Sequence, residues 1–133
     1  LGTTLYLDAA EHKDVEEFSV SNLVGISKEG AFCTPKSGSI LQSITNKMLM
    51  TIAADRGFKV EERPITWEEL KTFREVGACG TATVVAPIAS ISDGDQKYEF
   101  GNINELDEIR KQLLRVQFGE MEDKHGWMRE VNL

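Results

Sequence analysis

Apolar residues at Ile44, Met48 and Ile52, with Leu49 and Ala53 on the flank, repeat at the spacing of one helix face, and Leu106, Ile109, Leu113 and Val116 do so again near the end of the chain. A helix with such a stripe has to bury it against another layer. What the rest of the chain offers is strand-like sequence: Thr4 to Leu7, Val15 to Ile26 and Ala31 to Thr34 before the first helix, and a β-branched run from Thr83 to Ile91 between the two helices. At 133 residues the chain supports a single core without an internal boundary. Helical and strand-like segments are therefore both expected around that one core.

Local signals divide these segments. Lys28-Glu29-Gly30 supplies a turn, the polar stretch Pro35 to Ser39 a loop, and the first helix is expected from Ser43 to Arg56, stopping at Gly57. Phe58, Val60 and Pro64-Ile65 read as a short edge strand, because a residue before proline avoids the helical region. Thr66-Trp67-Glu68-Glu69 has the pattern of a capping box and predicts a short helix through Phe73. Small residues from Gly77 to Ala82 precede a buried strand, a composition that lets backbone come close to something else. Asp93-Gly94-Asp95 marks a turn, and Asn104 is placed to cap the last helix, with a polar tail carrying Trp127 beyond Phe118.

The balance of 22 acidic against 15 basic residues gives a net charge of −7, without a basic cluster to neutralise a phosphate backbone, so nucleic acid is not expected as a partner. No apolar run has the length of a membrane span, and Leu1 to Asp8 lacks the layout of a secretory leader. Cys33 and Cys79 have no metal-ligand spacing and His12 and His125 are far apart, which predicts a reduced, cytoplasmic setting and no structural metal. The chain opens directly in strand-like sequence at Leu1-Gly2-Thr3-Thr4, without an initiating methionine, and a truncated start is expected.

Dinucleotide fingerprints, a P-loop, a nucleophile elbow and H-E-x-x-H are all missing from the sequence. Two features remain as candidate anion sites. The helix start at Ile44-Thr45 presents free amides at the positive end of a helix dipole, and Gly80-Thr81-Ala82 presents amides and a hydroxyl from a turn of small residues. By composition alone, both also serve as ordinary connections.

Four blocks carry a resemblance. Glu16-Glu17-Phe18-Ser19-Val20-Ser21-Asn22-Leu23, Phe32-Cys33-Thr34-Pro35 with Ile40-Leu41-Gln42-Ser43-Ile44-Thr45, Glu75 to Ala82 followed by Pro87-Ile88, and Gln117-Phe118-Gly119 with Glu122-Asp123 and Gly126-Trp127 resemble, in order, the class IV aminotransferases and in particular their branched-chain members. The resemblance implies an α/β fold, a strand-rich pseudo-barrel with flanking helices packed outside, residues 1–133 forming the carboxy-terminal (large) domain, incomplete at its amino end. It implies pyridoxal 5'-phosphate as cofactor. Glu17 would pair with the pyridine nitrogen, Leu41 pack on the ring, Ile44 and Thr45 hold the phosphate, and Thr81 add a second phosphate-binding hydroxyl. The amides of Thr81 and Ala82 would receive the substrate carboxylate. Outside this motif Glu17 beside Glu16 reads as one more solvated charge.

The implied reaction moves an amino group between a branched-chain L-amino acid and 2-oxoglutarate, in a homodimer or larger assembly. The lysine that would hold the cofactor covalently lies, in the family, upstream of Leu1. This chain therefore supplies no catalytic residue by itself and is expected to be inactive alone; Lys36 falls on a variable loop position. Two departures soften the subgroup: Val24 stands where an aromatic is common, and Asn46 where a basic residue is common. A D-amino-acid aminotransferase, an aminodeoxychorismate lyase and a noncatalytic domain of the same fold stay open as alternatives.

Overall fold

The computed structural model describes residues 3–19, 21–38, 40, 43–80 and 84–131. Its eight-stranded sheet is built around β3 (Ser21–Ile26), whose residues from Asn22 onward are all buried. One flank of β3 pairs antiparallel with β7 (Glu75–Gly80) from Asn22↔Cys79 to Ile26↔Glu75. The other flank is shared: β2 (Asp14–Phe18) pairs with its start at Glu17↔Asn22, and β4 (Phe32–Pro35) with its end at Gly25↔Cys33. The expected single strand from Val15 to Ile26 is thus a hairpin, reversing between Phe18 and Ser21. Its β-branched and aromatic residues favour extended backbone in either case, and their pattern does not say where the chain folds back.

β1 (Leu5–Leu7) and β6 (Ile65–Thr66) both pair with β2, β8 (Val84–Pro87) pairs with β7, and β5 (Val60–Arg63) runs parallel to β4 after a crossover through α1 (Ile44–Asp55). β9 (Ser90–Asp93) and β10 (Gln96–Glu99) form a separate two-stranded ribbon, so the run Thr83 to Ile91 spans parts of two strands in different sheets. The α/β class and the helices outside a strand-rich sheet are as expected. Among the described residues the sheet stays open and does not close into a barrel.

Alternation along the strands sorts the core into two layers. Val24, Ile26 and Phe32 face α1 and α3 (Glu105–Gln117), where Leu49, Ile52, Leu106, Ile109 and Leu113 meet them. Leu23, Cys33, Val76 and Ala78 face Val15, Phe18, Ile65 and Phe73, beside α2 (Trp67–Leu70). Gly25 permits this second layer: a Cβ there would lie 2.5 Å from the Phe73 ring and 2.9 Å from the Glu75 carbonyl oxygen. Cys33 and Cys79 are buried free thiols, and no described helix is long and apolar enough to cross a membrane.

The helix ends differ from expectation in instructive ways. Ser43 and Arg56 flank α1 as caps instead of forming its ends. Thr66 does accept from the Glu69 amide at 3.0 Å, but the reciprocal half of the capping box is missing, because Arg63 holds the Glu69 carboxylate through both oxygens at 2.8 and 2.6 Å. α2 stops at Leu70, and the chain up to Phe73 is a turn. Asn104 occupies the cap position of α3 yet makes no side-chain cap. Glu75, on β7, does this instead: its buried carboxylate accepts from the amides of Asn104, Glu105 and Leu106 at 2.8, 3.0 and 3.0 Å. A carboxylate at the positive end of a helix, satisfied by three amides, anchors α3 to the sheet.

Glu75→Ala is expected to lower the unfolding free energy by about 2–3 kcal/mol, since it orphans three amides in the interior, and urea denaturation measures it. At the connection from β1 to β2, Asp8 accepts from the amides of Glu11, Lys13 and Asp14 at 2.7, 2.7 and 2.8 Å. Those bonds, that of Glu11 foremost, hold its carboxyl down from the ordinary 3.8 to about 2. With the folded value depressed, the stabilisation is complete above the unfolded value and is lost as pH falls through the folded one. NMR of the Asp8 carboxyl should accordingly show a midpoint near 2.

Candidate functional site

β2 and β7 both end where β3 begins, and this end of the sheet gathers polar side chains. Glu17, half-buried near the end of β2, lies directly across from Asn22, whose Nδ2 donates to Glu17 Oε2 at 3.3 Å. On the other flank of β3, Asn22 faces Cys79, whose thiol lies near the Ser43 hydroxyl at the start of α1. Burial pushes the Cys79 thiol up to about 11, against the lowering influence of the Ser43 hydroxyl, and burial with the Glu61 charge does the same at Cys33. Burial of this kind favours the neutral thiol over the reactive thiolate at both cysteines.

The start of α1 is brought to the same end by β4. Thr34 donates its hydroxyl to the Leu23 carbonyl at 2.7 Å and accepts from Asn46 Nδ2 at 2.9 Å, while the Asn46 amide is capped by Ser43 Oγ at 3.2 Å. In the loop between them, Ser37 Oγ donates to Glu16 Oε1 at 3.3 Å, so the loop runs beside the end of β2. The first turn of α1 carries no acidic residue, and the amides of Ile44 and Thr45 have no acceptor among the described residues. A narrow cleft follows, with Asn22, Thr34, Ser37, Ser43, Asn46 and Lys47 in its walls. The buried Asn46 Oδ1 atom has no partner among the described residues.

Of the site residues expected from sequence, Glu17, Ile44 and Thr45 share this end of the sheet. Ile44 is 74% exposed and Thr45 half-buried, leaving the helix start open. Leu41, Thr81 and Ala82 lie outside the described residues; β7 ends just before Thr81, at Gly80 paired with Val84. The donor set fits a phosphate ester, with two amides that have no acceptor among the described residues and the Thr45 hydroxyl at a helix start whose first turn carries no acid. The Glu17 carboxylate fits a protonated ring nitrogen.

The sequence reading left Asn22, Thr34 and Asn46 without roles. For Asn22 a signal was present: five positions after Glu17, it falls opposite that residue once the strand is split by a two-residue turn. The Asn46–Thr34 bond had none, since it joins a helix to a strand across a loop. Thr34→Val, nearly isosteric, strips the acceptor from Asn46 and the donor from the Leu23 carbonyl. It should cost about 2–3 kcal/mol in urea denaturation, with the secondary structure kept in circular dichroism.

Residues 3–91 match the family model described as amino-transferase class IV. The branched-chain-amino-acid aminotransferase of Helicobacter pylori is 43% identical over 131 residues, covering 96% of this chain and 38% of the relative. That of Haemophilus influenzae is 37% identical over 132 residues, with the same shares of the two chains. Among solved structures, a branched-chain amino acid aminotransferase from Escherichia coli superposes with a TM-score of 0.84 at 28% identity, over 98% of this chain and 42% of that one. A branched-chain amino acid aminotransferase from T.th., solved with pyridoxamine 5'-phosphate, gives 0.83 at 27% identity, over 98% and 42%. This chain thus spans about two fifths of the length of the relatives it matches.

Proposed function

We propose that this chain, which belongs to the class IV aminotransferases, forms the cofactor-holding part of a pyridoxal-phosphate-dependent enzyme that transaminates branched-chain L-amino acids with 2-oxoglutarate. The observation that carries the reading is the convergence of Glu17 with the open start of α1 at one end of the sheet, in a chain similar to branched-chain aminotransferases along nearly its whole length. The bound cofactor would supply an electron sink for cleavage at the substrate α-carbon.

Each residue has a physical task in this reading. Glu17 keeps a proton on the ring nitrogen by offering it a carboxylate in a half-buried position. The amides of Ile44 and Thr45 and the Thr45 hydroxyl bind the phosphate, whose charge the α1 dipole favours. Thr81 adds a hydroxyl to the phosphate, Leu41 packs on the ring, and the amides of Thr81 and Ala82 receive the substrate carboxylate. Lys36 is exposed, with its amide tied to the Arg63 carbonyl, and is given no covalent role. The covalent tether is assigned to a lysine upstream of Leu1, which makes residues 1–133 an incomplete carboxy-terminal domain that is inactive alone.

The reading extends to a homodimer or larger assembly in the cytoplasm. Ile44, Phe118 and Val131 are each about three quarters exposed, apolar surface that a neighbouring domain or subunit would cover.

Titration with pyridoxal phosphate followed by borohydride trapping tests the proposal, on this chain and on one extended upstream to the length of the relatives. The expected outcome is a reducible bond to lysine in the longer chain only, and transamination of leucine, isoleucine or valine by it. Trapping in neither chain, or activity confined to D-amino acids, would overturn the reading.

A further inference from the structure

We infer that Asn22 is a positioning residue for Glu17, an assignment that rests on the cofactor reading above. Paired directly across β2 and β3, the two side chains stand on one face of the sheet, and Asn22 Nδ2 donates to Glu17 Oε2 at 3.3 Å. Asn22 is 7% exposed and Glu17 half-buried, so the donor is fixed in the interior while the acceptor keeps partial access to solvent. Asn22 has little freedom to follow a moving partner. Its backbone is in β3, held by Glu17 on one flank and Cys79 on the other.

The chemistry of the donor matters as much as its place. A neutral amide steadies the charged carboxylate without cancelling its charge, and it engages Oε2, leaving Oε1 as acceptor for the ring N–H. A cation at this position would neutralise Glu17 and weaken its hold on the ring proton, and a second carboxylate would share a proton with it.

The charged and titratable groups around the cleft leave this role to Asn22. On β2, Glu16 is engaged by Ser37; on β7, the Cys79 thiol is raised to about 11; Lys36 in the loop and Lys47 on α1 are exposed; and Glu62 comes from β5. None of them has a hydrogen bond to Glu17 among those described, whereas Asn22 does.

The test loads the full-length gene product with pyridoxamine phosphate and follows protonation of the ring nitrogen against pH, by absorbance and by 15N NMR of labelled cofactor. Asn22→Leu, which keeps the volume and removes the donor, is expected to lower the midpoint by about one unit, a tenfold loss of proton affinity. Glu17→Gln should lower it further, and Asn22→Leu added to Glu17→Gln should change nothing more. A purely structural Asn22 would lower the melting temperature and leave the midpoint where it is, and that result overturns the assignment. Asn22→Ala serves in the same way if the leucine variant does not fold. Failure of the unsubstituted protein to bind pyridoxamine phosphate at all would overturn the cofactor reading first, and the role of Asn22 with it.

Discussion

β3 has hydrogen-bonded neighbours on both flanks, and almost every other element takes its place from that strand. Its start is held by β2, its end by β4 and its other side by β7. Because each residue of a strand faces a fixed partner, this register decides which side chains meet. Asn22 has Glu17 on one side and Cys79 on the other, and the carbonyl of the next residue, Leu23, receives the Thr34 hydroxyl that in turn holds Asn46 of α1. A slip of one residue would turn Asn22 away from Glu17 and bring Leu23 to the polar end. The buried apolar faces on both sides of β3 make such a slip costly, so the core secures the geometry of the candidate site.

The parts of this arrangement that were legible in the sequence are those written in local periodicity. The helical spacing of Ile44, Met48 and Ile52 and of Leu106, Ile109 and Leu113 marks α1 and α3 to within a residue or two. Strand-like composition finds β1 and β4 but merges β2 with β3, because a tight reversal at Ser19 carries no glycine, proline or asparagine to announce it. At the caps, sequence names the residue of the right type nearby, and the folded chain uses whichever acceptor is in reach. Asn104 is passed over for Glu75, and Glu69 is drawn to Arg63. In the candidate site, the helix start at Ile44-Thr45 is legible from dipole arguments, and Glu17 only through its motif. The network of Thr34, Asn46 and Ser43 comes from tertiary contact and leaves no trace in any window of sequence.

The two layers of the core also divide the labour between the helices. α1 presents its open start to the site and its apolar side to α3, while α3, among the described residues, contributes packing and lines no part of the cleft. Charge follows the same division. α3 has Glu105, Asp107 and Glu108 in its first turn in addition to the Glu75 carboxylate, so its positive end is fully compensated. α1 has no acid there, and its dipole remains available to an anion.

The cap on α3 also bears on the order in which the chain can assemble. Glu75 precedes the first amide that it accepts by 29 residues, so on a ribosome β7 emerges well before α3 exists. Until then a carboxylate at the end of the central pairing has no amides to meet and must stay hydrated. It keeps that corner of the sheet wet and the strands there loosely joined. Only when residues 104–106 arrive can the carboxylate be desolvated and the face of Val24 and Ile26 be closed by Leu106 and Ile109. α3 is thus the element that completes burial of this face of β3, and the face stays exposed to solvent until residues 104–113 have been made.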